Sequence, residues 1–352
     1  MALRTLLVTL AVPLLFVRAQ TAAEEDLART FLTTSLHITS SDVDRIDGAQ
    51  VFSRTLDPSD KREVATLGVV RIRMTPEFYV ERLADVAQFK RDDAVLQIGA
   101  FRNPPDLRDV AALTLDDSDL RSLRDCRVGS CGVQLPAAAI ERFRGIDWQR
   151  ADAPGRANVL MREILIEYVT SYLKAGSSAN MQYVDQREPV NVAREFASLT
   201  DSDPDTWRRF PDLRKHLLEC PVTKTAGTID LVYWSKEKVG RRSVVSVTHL
   251  AISRTASESP ADYVVASKHL YGTHYYDASL GLTLLVRDRS SSSSATYLVY
   301  VNRSRVDVFG GVFGGITRKI VTSKARSTVA DQLARLQRTL EGQFATAQPS
   351  GR

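Results

Sequence analysis

Residues 323–344, SKARSTVADQLARLQRTLEGQF, decide the fold, because apolar side chains recur in this segment every three or four positions. That repeat is typical of an α-helix with one apolar stripe and an otherwise polar surface. The stripe consists of Val329, Leu333, Leu336, Leu340 and Phe344. We therefore expect a long C-terminal helix that packs against an apolar partner.

The partner is predicted by the region that precedes this helix, which is rich in β-branched and aromatic residues. Five stretches have the character of strands: 228–236, 242–253, 262–276, 281–287 and 295–302. Consecutive strands joined by short connections favour an antiparallel sheet. The predicted fold class is therefore α+β, with an antiparallel sheet gripping a long C-terminal amphipathic helix.

The N-terminal half begins with strands and then changes to a helical pattern. Residues 63–74 have the alternation of a strand, and Thr75-Pro76-Glu77 follows with the residues typical of a helix start. From Asn103 to about Val222 the pattern is helical. This region has no counterpart in a simple sheet-and-helix domain, so we interpret it as a large helical insertion.

The order of these elements resembles the START-like (SRPBCC, helix-grip) superfamily, in which a curved sheet grips a C-terminal helix around an apolar cavity. Residues 68–77, GVVRIRMTPE, are similar to the strand that leads into a Pro-Glu helix in such domains. Residues 295–302, ATYLVYVN, are similar to the penultimate-strand segment, and residues 317–341 to the terminal helix. The resemblance implies a protein that binds a hydrophobic molecule, often a lipid.

The changes in pattern divide the chain into five parts. The predicted boundaries are 1–19 for a signal peptide, 20–102 for the N-terminal part of the helix-grip domain, 103–222 for the helical insertion with its Cys pair, 223–346 for the C-terminal part of the helix-grip domain, and 347–352 for a disordered tail.

The first twenty residues have the pattern of a secretory signal peptide. A short basic region ending at Arg4 precedes an apolar run, 5–17, that is shorter than the roughly 20 residues of a membrane span. Small residues near Ala19 and Ala23 offer two cleavage sites. We expect a periplasmic or secreted protein; an uncleaved N-terminal anchor is the alternative.

The chain contains three cysteines, of which two are close in sequence. Cys126 and Cys131 flank a turn that contains Gly129, and an oxidising compartment favours their pairing in a disulfide. Cys220 is left over, and we interpret it as a buried apolar thiol rather than a nucleophile.

Aromatic side chains on the predicted strands 262–276 and 295–302 are candidates for a ligand site, because alternate residues of a strand share one face. A ring with a hydroxyl group suits a mostly apolar pocket with a few polar anchors. Packing within the core is the alternative for these residues. The predicted ligand-binding residues are His269, Tyr271, Tyr275, Tyr297, Val299, Leu333 and Leu336.

The segment 309–316, FGGVFGGI, joins the last strand to the terminal helix and combines two Phe with four Gly. Glycine pairs relax the backbone, so we expect a gate loop formed by Phe309, Gly310, Gly311 and Phe313. These phenylalanines would contact the ligand or, transiently, a membrane surface. A tight connection with both rings buried is the alternative.

Motifs of catalysis and of cofactor binding are missing from the sequence: it has no Gly-x-Ser-x-Gly elbow, no P-loop and no His-Glu-x-x-His. His269 and His274 lie on one predicted strand at a spacing that sends them to opposite faces, which is unsuitable for one metal ion. We therefore predict no catalytic residues, no metal and no cofactor.

The charge is also informative about partners. The net charge of +5 falls by two when Arg4 and Arg18 leave with the signal peptide, and this is too small to indicate nucleic-acid binding. We expect a monomeric, non-enzymatic protein that binds a hydrophobic small molecule or lipid. The alternatives are a structural or interaction module with a filled core and an extracytoplasmic enzyme that acts on an apolar substrate.

Overall fold

The computed structural model describes residues 27–179, 181–220, 227–256, 259–290, 294–307 and 314–347. The predicted signal peptide, 1–19, lies outside the described residues, and so does the predicted gate loop of Phe309, Gly310, Gly311 and Phe313. Of the predicted tail, Ala347 alone is described, as the last residue of a helix.

Within the described residues, the strands are β1 Phe52–Thr55, β2 Glu63–Ile72, β3 Val95–Ala100, β4 Gln182–Tyr183, β5 Val190–Asn191, β6 Thr228–Val239, β7 Arg242–Arg254, β8 Tyr263–Gly272, β9 Tyr276–Arg287 and β10 Thr296–Val306. The α-helices are α1 Ser40–Asp47, α2 Pro76–Ala84, α3 Val86–Phe89, α4 Asp117–Arg124, α5 Ala137–Arg144, α6 Ala153–Ala175, α7 Val192–Asp201, α8 Pro204–Arg209, α9 Pro211–Glu219 and α10 Gly314–Ala347.

Eight strands form one antiparallel sheet in the order β1-β2-β10-β9-β8-β7-β6-β3. Strands β6 to β10 pair with their neighbours along the chain, as expected for short connections. The last strand, β10, also pairs with β2, so that Thr296 lies opposite Ile72 and Arg305 opposite Glu63. The two parts of the chain on either side of the helical region therefore build one sheet.

Helix α10 lies along β2 and packs directly on its backbone. A Cβ atom added to Gly68 would lie 2.5 Å from Leu333 Cδ1 and 2.7 Å from Val329 Cγ1, so the glycine permits this close approach. One turn further, Gln337 Nε2 donates a hydrogen bond of 2.8 Å to the carbonyl oxygen of Arg71. The predicted α+β class, with a long C-terminal helix packed on an antiparallel sheet, is confirmed; the helix begins at Gly314, earlier than the apolar stripe indicates.

The helix start predicted at Thr75 is also present. Pro76 is the first residue of α2, and the Thr75 hydroxyl accepts a hydrogen bond from the Phe78 backbone N–H at 3.2 Å. This cap satisfies one of the backbone donors that a helix start leaves without a partner. It fixes α2 where its apolar residues pack over one half of the sheet.

The strand predicted over 262–276 is interrupted. Strand β8 ends at Gly272, and β9 begins at Tyr276. Between them, Tyr275 has a positive φ of 69°, which an extended strand does not allow. The aromatic content of residues 262–276 favoured one continuous strand, but residues 273–275 form a turn between β8 and β9.

The opposite face of the sheet is covered by α1 and by α7 to α9. Side chains of these helices, such as Phe196 and Leu217, share an apolar cluster with Val69 and Leu282 of the sheet. Helices α4 to α6 form a further apolar cluster that reaches the sheet at Trp234. The helices between β3 and β6 therefore lie against the face that α10 does not occupy.

The cysteine prediction is confirmed in its geometry. Cys126 and Cys131 lie at disulfide-bonding distance, with their Cα atoms 4.4 Å apart. Gly129 adopts a positive φ of 79° in the turn between them. Cys220 is a free thiol and is buried.

Candidate functional site

The two faces of the sheet are distinguished by what packs on them. Leu250, Val265 and Leu285 belong to the same apolar cluster as Leu333 of α10, so their side chains lie on the α10 face. Because side chains alternate along a strand, every second residue further along β6 to β10 also lies on this face, and on β9 a register shift between Tyr276 and Ala278 puts Tyr276 there instead of Asp277. These further residues are polar or small.

We call this second half of the α10 face the polar patch. It lies beyond the apolar half, which α2, α3 and α10 cover. Many of its side chains are half-buried, among them Thr248, Ser267 and Asn302. The patch consists of Ser235, Glu237, Ser246, Thr248, Ser267, His269, Tyr276, Ser279, Gly281, Thr283, Tyr300, Asn302 and Ser304.

On β9 and β10 the patch is a hydrogen-bonded network. The hydroxyl groups of Ser279 and Ser304 lie 2.8 Å apart, and Ser304 donates to Asn302 Oδ1 at 2.9 Å. Asn302 Nδ2 lies 3.3 Å from the Ser279 hydroxyl and 3.4 Å from the Tyr300 hydroxyl. These bonds hold the amide of Asn302 in one orientation and so present its donors and acceptors in a fixed arrangement.

The charged groups of the patch lie at its β6 edge. The Ser235 hydroxyl donates to Glu237 Oε1 at 2.6 Å and lies 3.2 Å from the Ser246 hydroxyl. The Lys90 ammonium, just after α3, lies 5.3 Å from the centre of the Tyr233 ring. An acid and a base therefore border the patch, while its centre carries uncharged hydroxyl groups.

The phenol groups on and above the patch stay neutral at physiological pH. Burial raises the pKa of Tyr276 to about 12 and the pKa of Tyr79 to about 12. Burial also raises the pKa of Tyr300. Each phenol can therefore both donate and accept a hydrogen bond.

His269 is the buried imidazole of the patch. Burial lowers its pKa to about 4, so the ring is neutral at physiological pH. The ring lies 5.8 Å from that of Tyr276, and Nε2 has no hydrogen-bond partner among the described residues. A buried polar atom without a partner costs free energy, and this nitrogen lies against Gly272, where an added Cβ would be 2.8 Å from it.

The predicted ligand-binding residues divide between the two faces of the sheet. His269 belongs to the polar patch, and Leu333 and Leu336 of α10 lie in the apolar cluster beside it. Tyr297 and Val299 lie on the opposite face, in the cluster that contains α7 to α9. The predicted set is therefore not brought together at one site.

The remaining two predicted residues are displaced by local backbone features. The β7–β8 register shifts so that Thr248 lies opposite His269 whereas Val247 lies opposite Tyr271, and the extra residue, Leu270, turns Tyr271 to the other face. There Tyr271 packs edge-on against the ring of Tyr183, with ring centres 6.1 Å apart. Tyr275 lies in the turn before β9.

Sequence reasoning missed most of the patch. On β10 it selected the odd-numbered residues, but Tyr300, Asn302 and Ser304 occupy the even positions. Both faces of this strand are covered by other elements, so both sets of positions contain apolar residues. The one signal in the sequence is the run of small polar residues at alternate positions of β9 and β10, Ser279, Gly281, Asn302 and Ser304.

A second polar cluster lies on the opposite face, where α9 meets β6 and β7. It consists of His216, Cys220, Asp230 and His249, whose candidate ligand atoms all lie within 4.8 Å of one another. Within the described residues, this is a group of side chains that could hold a metal ion. The prediction that no residues form a metal site considered spacing along single segments and did not reach this group.

Comparison with known proteins identifies no relative: no family model, no curated protein and no solved structure matches the chain. Among the described helices, none combines the length and the apolar character that a membrane crossing requires. Function must therefore be inferred from the geometry of the chain itself.

Proposed function

We propose that this protein is an extracytoplasmic, START-like binding protein that holds a ligand against the polar patch. The observation that carries the proposal is the row of half-buried hydroxyl and amide groups on adjacent interior strands of the sheet. The other half of the same face is covered by α2, α3 and α10 and is apolar, whereas the patch beside it is polar, as an antiparallel sheet is where no layer of helices packs on it. A polar surface at this position is consistent with a ligand that forms hydrogen bonds to it.

The chemistry of the patch favours a ligand with many hydroxyl groups. The hydroxyl groups of Ser267 and Thr248 can each donate and accept, as sugar hydroxyl groups do. The tyrosine rings add flat apolar surfaces with a polar end. We infer that the ligand is a saccharide, either free or as the headgroup of an amphiphile.

The packing of the apolar half of the α10 face argues against a long acyl chain as the ligand. Leu83 and Val86 from the two short helices pack there, and both are buried. Leu250 and Leu285 of the sheet are buried beneath this layer. The protein's own side chains fill this half of the face, whereas Thr248 and Ser267 of the patch are only half-buried.

The test is a binding experiment with defined probes. Saturation-transfer NMR would be recorded on the mature chain with maltose, lactose, cellobiose and chitobiose. Dodecyl maltoside below its micelle concentration tests the saccharide as a headgroup, and laurate tests the chain without a saccharide. We expect binding of at least one disaccharide or of the maltoside, with saturation concentrated on the sugar protons.

A pair of matched variants connects binding to the patch. Thr248→Val removes a hydroxyl group from the patch and keeps the size and β-branching of the side chain. Thr55→Val makes the same change at an exposed position on the edge strand β1. One neutral hydrogen bond contributes about 0.5–1.5 kcal/mol. Thr248→Val should therefore raise the dissociation constant about two- to tenfold, whereas Thr55→Val should leave it unchanged.

Three results would count against the proposal. Binding of laurate without binding of any saccharide or of the maltoside would show that the ligand is apolar, as the START-like resemblance alone implies. Equal affinities of Thr248→Val and wild type for a bound saccharide would show that the sugar lies elsewhere. An absence of binding to every probe would also count against a saccharide.

A further inference from the structure

The cluster of His216, Cys220, Asp230 and His249 draws its side chains from three elements. His216 is on α9 and Cys220 follows one helical turn later, so both point to the same side. Asp230 is on β6 and His249 on β7, where Val232 lies opposite His249. Helix α9 thus presents two side chains to two neighbouring strands.

The two imidazoles converge on one carboxylate oxygen. His216 Nε2 lies 2.7 Å and His249 Nε2 lies 2.8 Å from Asp230 Oδ1. The histidines and Cys220 are buried, whereas the Asp230 side chain is about one-third exposed, at 35%. The group is therefore enclosed by protein on the helix side and reaches solvent through the carboxylate.

A further side chain orients one of the imidazoles. The Tyr172 hydroxyl of α6 lies 2.9 Å from His249 Nδ1, which leaves Nε2 directed at the cluster. This is the arrangement of a metal-ligating histidine, whose second ring nitrogen is hydrogen-bonded to a neighbouring group. Lys268, the nearby buried cation, has its ammonium bound to the Leu217 carbonyl and the Ser177 hydroxyl.

We propose that these four residues bind a zinc ion. Two imidazoles, a thiolate and a carboxylate are ligands that zinc accepts in tetrahedral sites. With metal–ligand distances of roughly 2.0–2.3 Å, tetrahedral ligand atoms lie about 3.3–3.7 Å apart. The four atoms lie within 4.8 Å of one another, and His216 Nε2 lies 2.7 Å from Asp230 Oδ1, so the observed spacing brackets the tetrahedral one.

The composition of the group distinguishes zinc from other cations. Magnesium and calcium take oxygen ligands, and this group has one carboxylate against two nitrogens and a sulfur. A soft sulfur with imidazoles selects zinc-type metals. Four protein ligands fill the tetrahedral shell, so the ion has a structural role and fastens α9 to β6 and β7.

The experiment uses the mature chain after treatment with a chelator. The chain is titrated with Zn²⁺, and its metal content is measured by mass spectrometry after gel filtration. Co²⁺ replaces Zn²⁺ in a second titration, because tetrahedral cobalt with a thiolate ligand has strong visible and charge-transfer absorption. We expect one ion per chain, the tetrahedral cobalt spectrum and an increased melting temperature with zinc.

Four variants locate the site. Cys220→Ser should abolish the charge-transfer band, and Asp230→Asn, at a partly exposed position, should weaken zinc binding at least tenfold. Tyr172→Phe keeps the packing and removes the orienting hydroxyl, so it should weaken binding about 10- to 100-fold. His274→Gln is the matched control: His274 is a buried histidine bound to Asp119 at 2.9 Å, outside the cluster, and its loss should leave zinc binding unchanged.

The proposal is overturned if the folded wild-type chain retains less than a tenth of an equivalent of zinc and of cobalt. It is also overturned if Asp230→Asn and His274→Gln bind zinc with equal affinity. Should Cys220→Ser fail to fold, the cobalt spectrum of Asp230→Asn and of Tyr172→Phe decides the question. Neither outcome depends on whether the polar patch binds a saccharide.

Discussion

Replacing Gly68 with Ala tests the contact that defines the fold, the seat of α10 on β2. The added Cβ would lie 2.5 Å from Leu333 Cδ1 and 2.7 Å from Val329 Cγ1, far inside normal contact distance. Leu333 is 4% exposed and Val329 is 7% exposed, so neither can move into solvent without leaving the core. The helix must therefore shift, or its side chains must leave their preferred rotamers.

The expected cost follows from the behaviour of overpacked cores. Forcing an extra methyl group into a filled contact costs about 1–3 kcal/mol. The substitution also lowers the conformational entropy of the unfolded chain, which offsets about 0.4–1 kcal/mol of this cost. Leu333→Ala, which shortens a buried isobutyl side chain to a methyl group at the same contact, should cost about 2–5 kcal/mol.

The double variant distinguishes a direct clash between residues 68 and 333 from two independent losses of stability. With Ala at position 333, the closest clash with an alanine at position 68 no longer exists, so the two effects should not add. We expect the double variant to be more stable than the sum of the single effects by about 1 kcal/mol or more. Independent sites add within about 0.3–0.5 kcal/mol.

The assay is chemical denaturation followed by circular dichroism on the two single variants and the double variant. Gly342→Ala is the control on the same helix, because a Cβ at that position meets no atom within 4 Å. It should stabilise the chain by about 1 kcal/mol through helix propensity. Additive effects of Gly68→Ala and Leu333→Ala would refute the direct packing of α10 on β2.

Two further predictions concern the cysteines and the buried histidine. Thiol titration of the unfolded, unreduced chain should find one free thiol, Cys220; finding three would contradict the Cys126–Cys131 disulfide. Burial lowers the pKa of His269 to about 4 from 6.5, so between these values the unfolded chain binds a proton that the folded chain does not. The free energy of unfolding should therefore decrease by up to about 3 kcal/mol as pH falls from 6.5 to 4. His269→Gln should remove that part of the slope in denaturation experiments, whereas His37→Asn at the surface should not; an unchanged slope in His269→Gln would contradict the burial.

The parts of the fold that could be predicted are those with a local physical signal. The stripe that includes Leu333 predicted α10, and Thr75 followed by Pro76 predicted the start of α2. The turn between Cys126 and Cys131 predicted their pairing. In each case, the residues that interact are neighbours in sequence, or share a repeat that only one secondary structure produces.

The candidate sites depend on pairings that are distant in sequence. Alternation shows that Tyr297 and Val299 share a face, but it does not show which face meets α10, because the neighbouring residues are also apolar. The bulge at Leu270 reverses the side chain of Tyr271 without any mark in the sequence. His216 and Cys220 have the spacing of a ligand pair on a helix, yet Asp230 and His249 join them only when β6 and β7 pair.

Alternation also places the two proposed sites back to back. Thr248 of the polar patch and His249 of the proposed zinc site are consecutive residues of β7, on opposite faces of the same strand. An ion that fixes His249 to Asp230 therefore restrains the strands β6 and β7 that present part of the patch.

Coupling between two binding sites is reciprocal, so any factor by which zinc tightens maltoside binding must equal the factor by which the maltoside tightens zinc binding. We expect zinc to tighten dodecyl maltoside binding by a few fold in calorimetric titrations of zinc-loaded and zinc-free chain. Equal affinities in the two states would show that the sheet holds the patch in place without help from the metal.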